Sequence, residues 1–241
     1  MPPVPNGPWF NAIAEFLGPA YLRNAFTKGT AQEVAFLIDA LALEPGMRVL
    51  DAGCGPGRHA IGLAQRNINV VGIDLAPDFI ALAQNEAKDL PAEFRVQDVR
   101  ELDDASVFDA VICLCQGGFG LLGGRDDELG VIANFARALK PGGRLALSAF
   151  SSYFVVRHLE PEEHFDADSG VNHECATVRG RDGAERPFDL WTTCYTPREL
   201  RLLALGAGLV VDGVFGVHPG RYTRAAPSVD APEHLLVARR P

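Results

Sequence analysis

The sequence predicts an α/β fold, a doubly wound, Rossmann-like and mostly parallel sheet covered by helices on both faces. Three observations carry this. From Arg48 onward, short β-rich runs alternate with segments of helical periodicity. The β-rich runs are almost continuously apolar, as strands buried on both faces require. The first of them, VLDAGCGPGRHA (49–60), passes directly through a glycine loop into a helix, at the edge where open α/β sheets bind ligands.

Taken in order, the candidate strands are residues 48–53, 69–74, 92–98, 108–114 and 143–150. Between them, residues 58–66, 77–88 and 126–139 place apolar side chains at helical spacing, and Pro77 suits a first helical turn. LKPGG (139–143) reads as a helix stop, because Pro141 and two glycines turn the chain into the next strand. After residue 150 the alternation lapses. Residues 151–196 are rich in charge and histidine, and RDG (181–183) separates two strand-like runs, HECATV and RPFDLWTTCY. This reads as a β-hairpin cap inserted into a core made of residues 31–150 and 197–241. Thr196, Pro197 and Glu199 form a capping-box signature for a helix over 196–208, and residues 209–217 and 233–240 supply the last strands.

With 241 residues, 47% hydrophobic and 22% charged, the chain fits one large domain or a core with an inserted cap. A formal net charge of −9 and a pI near 5.1 give no long-range attraction for phosphodiester backbones or anionic membranes, and the basic residues are scattered. Neither a nucleic-acid nor a membrane partner is expected. No run approaches the ~18 apolar residues of a membrane span and no signal peptide is evident, so a cytoplasmic location is expected. Cys54, Cys113, Cys115, Cys175 and Cys194 are odd in number and lack CxxC spacing, which reads as free thiols rather than disulfides or a zinc site.

The glycine loop itself leaves the ligand open until its spacing is considered. A dinucleotide fingerprint is G-x-G-x-x-G, whereas here glycines fall at Gly53, Gly55 and Gly57, with Arg58 in the place of the third fingerprint glycine. No G-K-S/T follows, so a Walker loop is excluded. Asp51, just before the loop, would repel a pyrophosphate and favour a cation. A ligand with a carboxylate, an ammonium and a ribose suits the pattern, and those are parts of S-adenosylmethionine. The backbone of Gly53, Cys54, Gly55 and Gly57 would pass its methionyl part. Asp74, ending the second strand, would accept both ribose hydroxyls, since an ionised carboxylate is a bidentate acceptor. Asp98 and the amide of Val99, ending the third strand, would meet the adenine.

These motifs resemble the class I S-adenosylmethionine-dependent methyltransferases: VLDAGCGPG as the first motif, VVGID as the ribose motif, VQDV as the adenine motif, FDAVICLCQGGFG on the fourth strand and LKPGGRLALS before the fifth. The resemblance implies a seven-stranded sheet in order 3-2-1-4-5-7-6 with the last strand antiparallel. It places Leu75 beside the cofactor, and Leu114 and Cys115 near the methionine and the transferring methyl, with Gln116 orienting a substrate or solvated. It makes residues 1–30 a lid, in which Tyr21 lines the transfer site and Arg23 pairs with a carboxylate. The N/D-PPY signature of exocyclic and amide nitrogen methylation is absent, and GRH after the first motif resembles small-molecule enzymes.

Tyr21, His158 and His173 are the candidate catalytic residues, with His164 a further candidate base. The acidic residues around these histidines (Glu160, Glu162, Glu163, Asp166 and Asp168) lack the spacing of a metal site and read as a solvated loop. Trp191 and Tyr195 read as either an aromatic substrate wall or the core of the hairpin. Asp109, at the start of its strand, reads as structural. The expected activity is methyl transfer to a small-molecule acceptor by a monomer or homodimer. An NAD-dependent oxidoreductase, or a non-catalytic S-adenosylmethionine sensor, is the alternative.

Overall fold

Alternating residues of each central strand face opposite layers of helix, which is why the runs are apolar throughout. Val49 and Ile112 point into one core and Leu50 and Val111 into the other, all fully buried. In the computed structural model, which describes residues 4, 7, 9–115, 119–122 and 127–241, β1 (Arg48–Ala52), β2 (Asn69–Asp74), β3 (Ala92–Val96), β4 (Phe108–Cys113) and β5 (Leu139–Ser151) lie parallel in the order β3-β2-β1-β4-β5. The final strand, Glu233–Arg239, inserts antiparallel between β5 and the strand Val210–Val217. This completes the 3-2-1-4-5-7-6 order with its one reversed strand.

Helices Thr30–Ala40 (α2, preceded by α1 at Asn11–Leu17), Arg58–Ala64 (α3) and Pro77–Glu86 (α4) cover one face. Helices Glu128–Ala138 (α5) and Pro197–Gly206 (α7) cover the other. The latter starts with the expected capping box, Thr196 Oγ1 accepting from Glu199 N and Glu199 Oε2 from Thr196 N. KPGG departs from the expected clean stop. Leu139 already pairs with Phe108, and the ladder then skips to Arg144 opposite Ala110. Pro141 has no N–H to donate, and Gly142 adopts φ +79°, so the four residues bulge out of the ladder.

The insert contains helix α6 (Ser152–Arg157) and a three-stranded unit rather than a hairpin alone: β6 (His164–Asp166), β7 (Val171–Arg179) and β8 (Glu185–Tyr195), with RDG in the turn. The end of β8 pairs with the end of β5 through Phe150↔Cys194 and Ser151↔Tyr195, so the insert continues the main sheet. The remaining strands are β9 (Val210–Val217) and β10 (Glu233–Arg239). The N-terminal segment lies over the strand ends. Ile13, Leu17 and Ala20 pack on Val178, Phe188 and Leu190 of the insert, while Ala14 packs on Ala76 and Phe79.

One backbone contact ties α2 to the loop after β9. A Cβ on Gly29 would stand 1.9 Å from the Cα of Gly220. Beside it the side-chain amide of Gln32 accepts from Tyr222 N and donates to Tyr222 O, both at 2.7 Å. Gly29→Ala has no side chain to displace, only backbone, and is expected to lower stability by about 3 kcal/mol. Urea denaturation measures this, with Gly7→Ala, which meets nothing within 4 Å, as the matched control.

Candidate active site

The carboxyl ends of β1, β2, β3 and β4 open into one cavity of about 580 Å³. Its roof is the N-terminal segment (Trp9, Phe10, Ile13, Leu17 and Tyr21) and its side wall is the insert (Glu174, Val178, Leu190 and Thr192). Three glycines shape the floor because their conformations exclude a Cβ: Gly53, Gly55 and Gly57 have φ of +71°, +54° and +81°. The Gly55 amide donates to Asp74 Oδ2 at 2.8 Å and the Ala76 amide to Oδ1 at 2.8 Å. Each carboxylate oxygen is thereby fixed while keeping a free lone pair for the cavity. Burial raises the pKa of Asp74, and the amides of Ala76, Gly55 and Leu75 oppose that rise.

Asp98 is arranged differently. It caps a 3₁₀ turn and engages Arg100 through both oxygens, at distances from 2.7 to 3.1 Å. Burial alone would raise its pKa, but the Arg100 hydrogen bonds and charge bring it below the usual range. Arg100 therefore already holds the acceptor lone pairs assigned to an adenine amine. The amide of Val99 follows it at the same strand end, and both residues line the cavity.

A buried charged network underlies the other side of the glycine loop. Arg58 donates to Glu33, to Thr30 Oγ1 at 2.9 Å and to Cys115 Sγ. His59 Nε2 lies 2.8 Å from the same Glu33 oxygen, and the Gly220 amide donates to the other at 2.7 Å. Burial pushes the Glu33 pKa up, but the bond from His59 and the Arg58 charge pull it down to about 2. Burial lowers the His59 pKa, Arg58 lowers it further, and the hydrogen bond and charge of Glu33 oppose that fall. Glu33, His59 and Cys115 are the described His/Cys/Asp/Glu residues whose donor atoms gather within 4.8 Å, and the Arg58 guanidinium bridges them.

The sequence-derived candidates separate cleanly. Tyr21, Gly53, Cys54, Gly55, Asp74, Leu75, Asp98, Val99, Leu114 and Cys115 all line the cavity. Asp51 is instead buried behind the loop, accepting from the Ala60 amide at 3.1 Å, and burial raises its pKa to about 7. Gly57 packs against Ala83 and Phe94. Arg23 donates to Gly180 O at 3.3 Å, tying the lid to the insert instead of reaching into the cavity. His158 is exposed, its ring against Phe154. His173 bonds Asp189 at 2.8 Å and packs on Trp191, on the opposite side of β7 from the cavity. Trp191 and Tyr195 are buried, against Trp9 and Phe119 respectively. Asp109 sits at the far end of the sheet, bonded to Arg48 N and Lys140 Nζ. Gln116 lies outside the described residues. Cys115 falls beyond the end of β4 in a left-handed conformation (φ +49°), and its amide donates to Ser148 Oγ at 2.9 Å. All five cysteines are free.

Residues 49–143, from β1 through the start of β5, match the family model for the methyltransferase domain. This part of the chain, which carries the glycine loop, Asp74 and Asp98, is similar to the methyltransferase domain that the model describes. Among proteins similar to this chain, the putative methyltransferase YqeM of Bacillus subtilis is 31% identical over 147 residues, covering 60% of this chain and 59% of that protein. The ubiquinone biosynthesis O-methyltransferase of Xanthomonas campestris pv. campestris is 37% identical over 111 residues, 44% of each. The chain spans about half the length of these curated relatives. The S-adenosylmethionine-bound structure of CalS10, an amino pentose methyltransferase from Micromonospora echinaspora, superposes with a TM-score of 0.66 at 24% identity, over 92% of this chain and 96% of that one.

Sequence reasoning missed Arg58, Glu33 and His59 as a unit. The RH pair directly after the glycine loop was visible, but its partner lies 25 residues earlier on another helix. It also missed Glu233, which is buried with an Oε2 that has no partner among the described residues. Burial raises the Glu233 pKa to about 7, with Glu33 adding to it.

Two outcomes follow for these buried charged groups. Arg58→Met leaves the Glu33 carboxylate buried without its cation and is expected to cost about 3–5 kcal/mol of stability, read by urea denaturation. Glu233 has a folded pKa raised above its ordinary 4.5, so its contribution is full below pH 4.5 and is lost as pH rises through about 7. Glu233→Gln is therefore expected to flatten the decline in melting temperature between pH 5 and 8 and to add about 2 kcal/mol at pH 8.

Proposed function

We propose that this chain transfers a methyl group from S-adenosylmethionine to a small-molecule acceptor, acting in the cytoplasm as a monomer or homodimer. The observation that carries the reading is the convergence of the glycine loop, Asp74 and the Asp98–Val99 turn on one cavity at successive strand ends. The residues present fit that cofactor. The loop is bare of side chains where a ligand must approach, and a cavity of about 580 Å³ is of the size that holds a nucleoside-bearing molecule. Asp74 is aligned by two amides before any ligand arrives.

When bound, S-adenosylmethionine supplies a methyl already activated on a sulfonium. The chain then has to align and to exclude water. Asp74 would hold the ribose hydroxyls, Gly53 through Gly57 the methionyl backbone, and Val99 N–H a ring nitrogen of the adenine. Asp98 would take the exocyclic amine by sharing its oxygens with Arg100. Leu114 and Cys115 would border the reacting methyl, with Tyr21 across from them. Burial, then Cys115, raises the Tyr21 phenol pKa, which suits a hydrogen-bonding role for this residue and disfavours a general base. With His158 and His173 off the cavity lining, alignment for in-line displacement is the main contribution of the protein.

The acceptor being a small molecule is supported by the enclosed cavity and by the names of the ubiquinone and amino pentose relatives. An NAD-dependent activity is disfavoured because Arg58, rather than a third glycine, faces the loop. Calorimetric titration with S-adenosylmethionine, its demethylated product and NAD tests the reading. Binding of the first two is expected, and binding of NAD alone would sink it. Asp74→Ala is expected to weaken S-adenosylmethionine binding by about 2–4 kcal/mol through loss of charge-assisted hydrogen bonds. An unchanged affinity in that variant removes Asp74 from the site.

A further inference from the structure

The wall that the insert contributes carries a charge the cofactor does not explain. On β7 Glu174 lines the cavity, half-buried and opposite Leu190 in the β7–β8 register. Burial, and then the neighbouring carboxyl of Glu163 in the loop before β6, raise the Glu174 pKa. Among the described residues no Lys or Arg forms an ion pair with either carboxylate. Of the cavity's cations, Arg58 and Arg100 are held by their own acids, and Arg179 is exposed at the far end of β7.

Two further polar groups on the same face lack partners. Thr192, two residues from Leu190, lines the cavity at 8% exposure, and its hydroxyl forms no hydrogen bond with described residues. Asn172, its neighbour across the strands and also 8% exposed, has an Oδ1 with none. Buried polar groups are ordinarily satisfied, so the Asn172 Oδ1 is an acceptor in want of a donor, beside the acceptors that Glu174 and Thr192 present on the cavity wall. Trp9, Ile13 and Leu17 line the same cavity from the lid, which gives an apolar body a surface to pack on.

We propose that this wall is the acceptor subsite and that it takes a cationic amine carried on an apolar body, the ammonium donating to Glu174 and to the Thr192 hydroxyl. This rests on the methyltransferase reading and narrows its acceptor class. An alcohol of the same shape offers one donor and no charge, and a carboxylic acid adds a third anion.

The probes are 2-phenylethylamine, 2-phenylethanol and phenylacetate, added to the full chain loaded with the demethylated cofactor. Saturation-transfer NMR reports binding without relying on turnover. The amine is expected to bind about tenfold or more tightly than the alcohol, and Glu174→Gln to remove that preference while S-adenosylmethionine affinity stays as in the parent protein. Asp189→Asn, on the other face of β7–β8, is expected to leave the preference intact. Equal binding of amine and alcohol, a preference for phenylacetate, or an unaltered preference in Glu174→Gln overturns the subsite. Such results with normal cofactor affinity leave the methyltransferase reading standing. Failure of the parent protein to bind S-adenosylmethionine overturns both.

Discussion

The arrangement around the cavity depends on the buried guanidinium of Arg58. It joins α3 to α2 through Glu33 and to the end of β4 through Cys115, while the second oxygen of Glu33 takes the Gly220 amide from the loop after β9. Four segments far apart in sequence thus meet on one ion pair. A buried pair of this kind adds little stability relative to a well-packed apolar substitute, because desolvation offsets the attraction. Its value is geometric. A carboxylate with a cation, a histidine and an amide around it has one arrangement in which all are satisfied, and that arrangement sets where the glycine loop begins its helix.

The cavity divides between two kinds of chemistry supplied by two kinds of structure. The floor is made by strand ends and tight turns, whose positions follow from the sheet and whose donors are mainly backbone amides, with Asp74 locked among them. The lid and insert provide side chains: an aromatic and aliphatic cover from residues 9–21, and Glu174 and Thr192 from the added strands. Because β8 pairs with the end of β5, the insert wall is anchored to the same sheet as the floor. Substitutions in the insert can then change the wall without disturbing the floor.

The floor was legible in the sequence because each of its parts is local. Gly53, Gly55 and Gly57 mark the turn, and Asp74 and Asp98 follow apolar runs, so a strand-end acid identifies itself by position. Arg58 and Glu33 were not legible as partners, since their meeting depends on how α2 packs on α3. Asp51 shows the limit of proximity along the chain: it precedes the glycine loop, yet strand alternation turns its side chain behind it. His173 fails for the same reason. Its type suited a base, but in a strand the residue beside it, Glu174, faces the cavity. The insert's third strand was missed because HFD is too short to show a period, and the KPGG bulge because a skipped ladder leaves no periodic mark.

The contact between Gly29 and Gly220, with Glu33 and Gln32 bonded alongside it to Gly220 and Tyr222, closes a loop of about 190 residues. Contacts of such separation form only after the intervening chain exists and has been ordered. During synthesis, then, β1 to β5 and the glycine loop emerge well before the group that completes the environment of Glu33. Until Gly220 has left the ribosome, Arg58 and Glu33 have each other but not the amide that orients them. The floor of the cavity is therefore among the earliest parts of the molecule to be made and among the last to be finished.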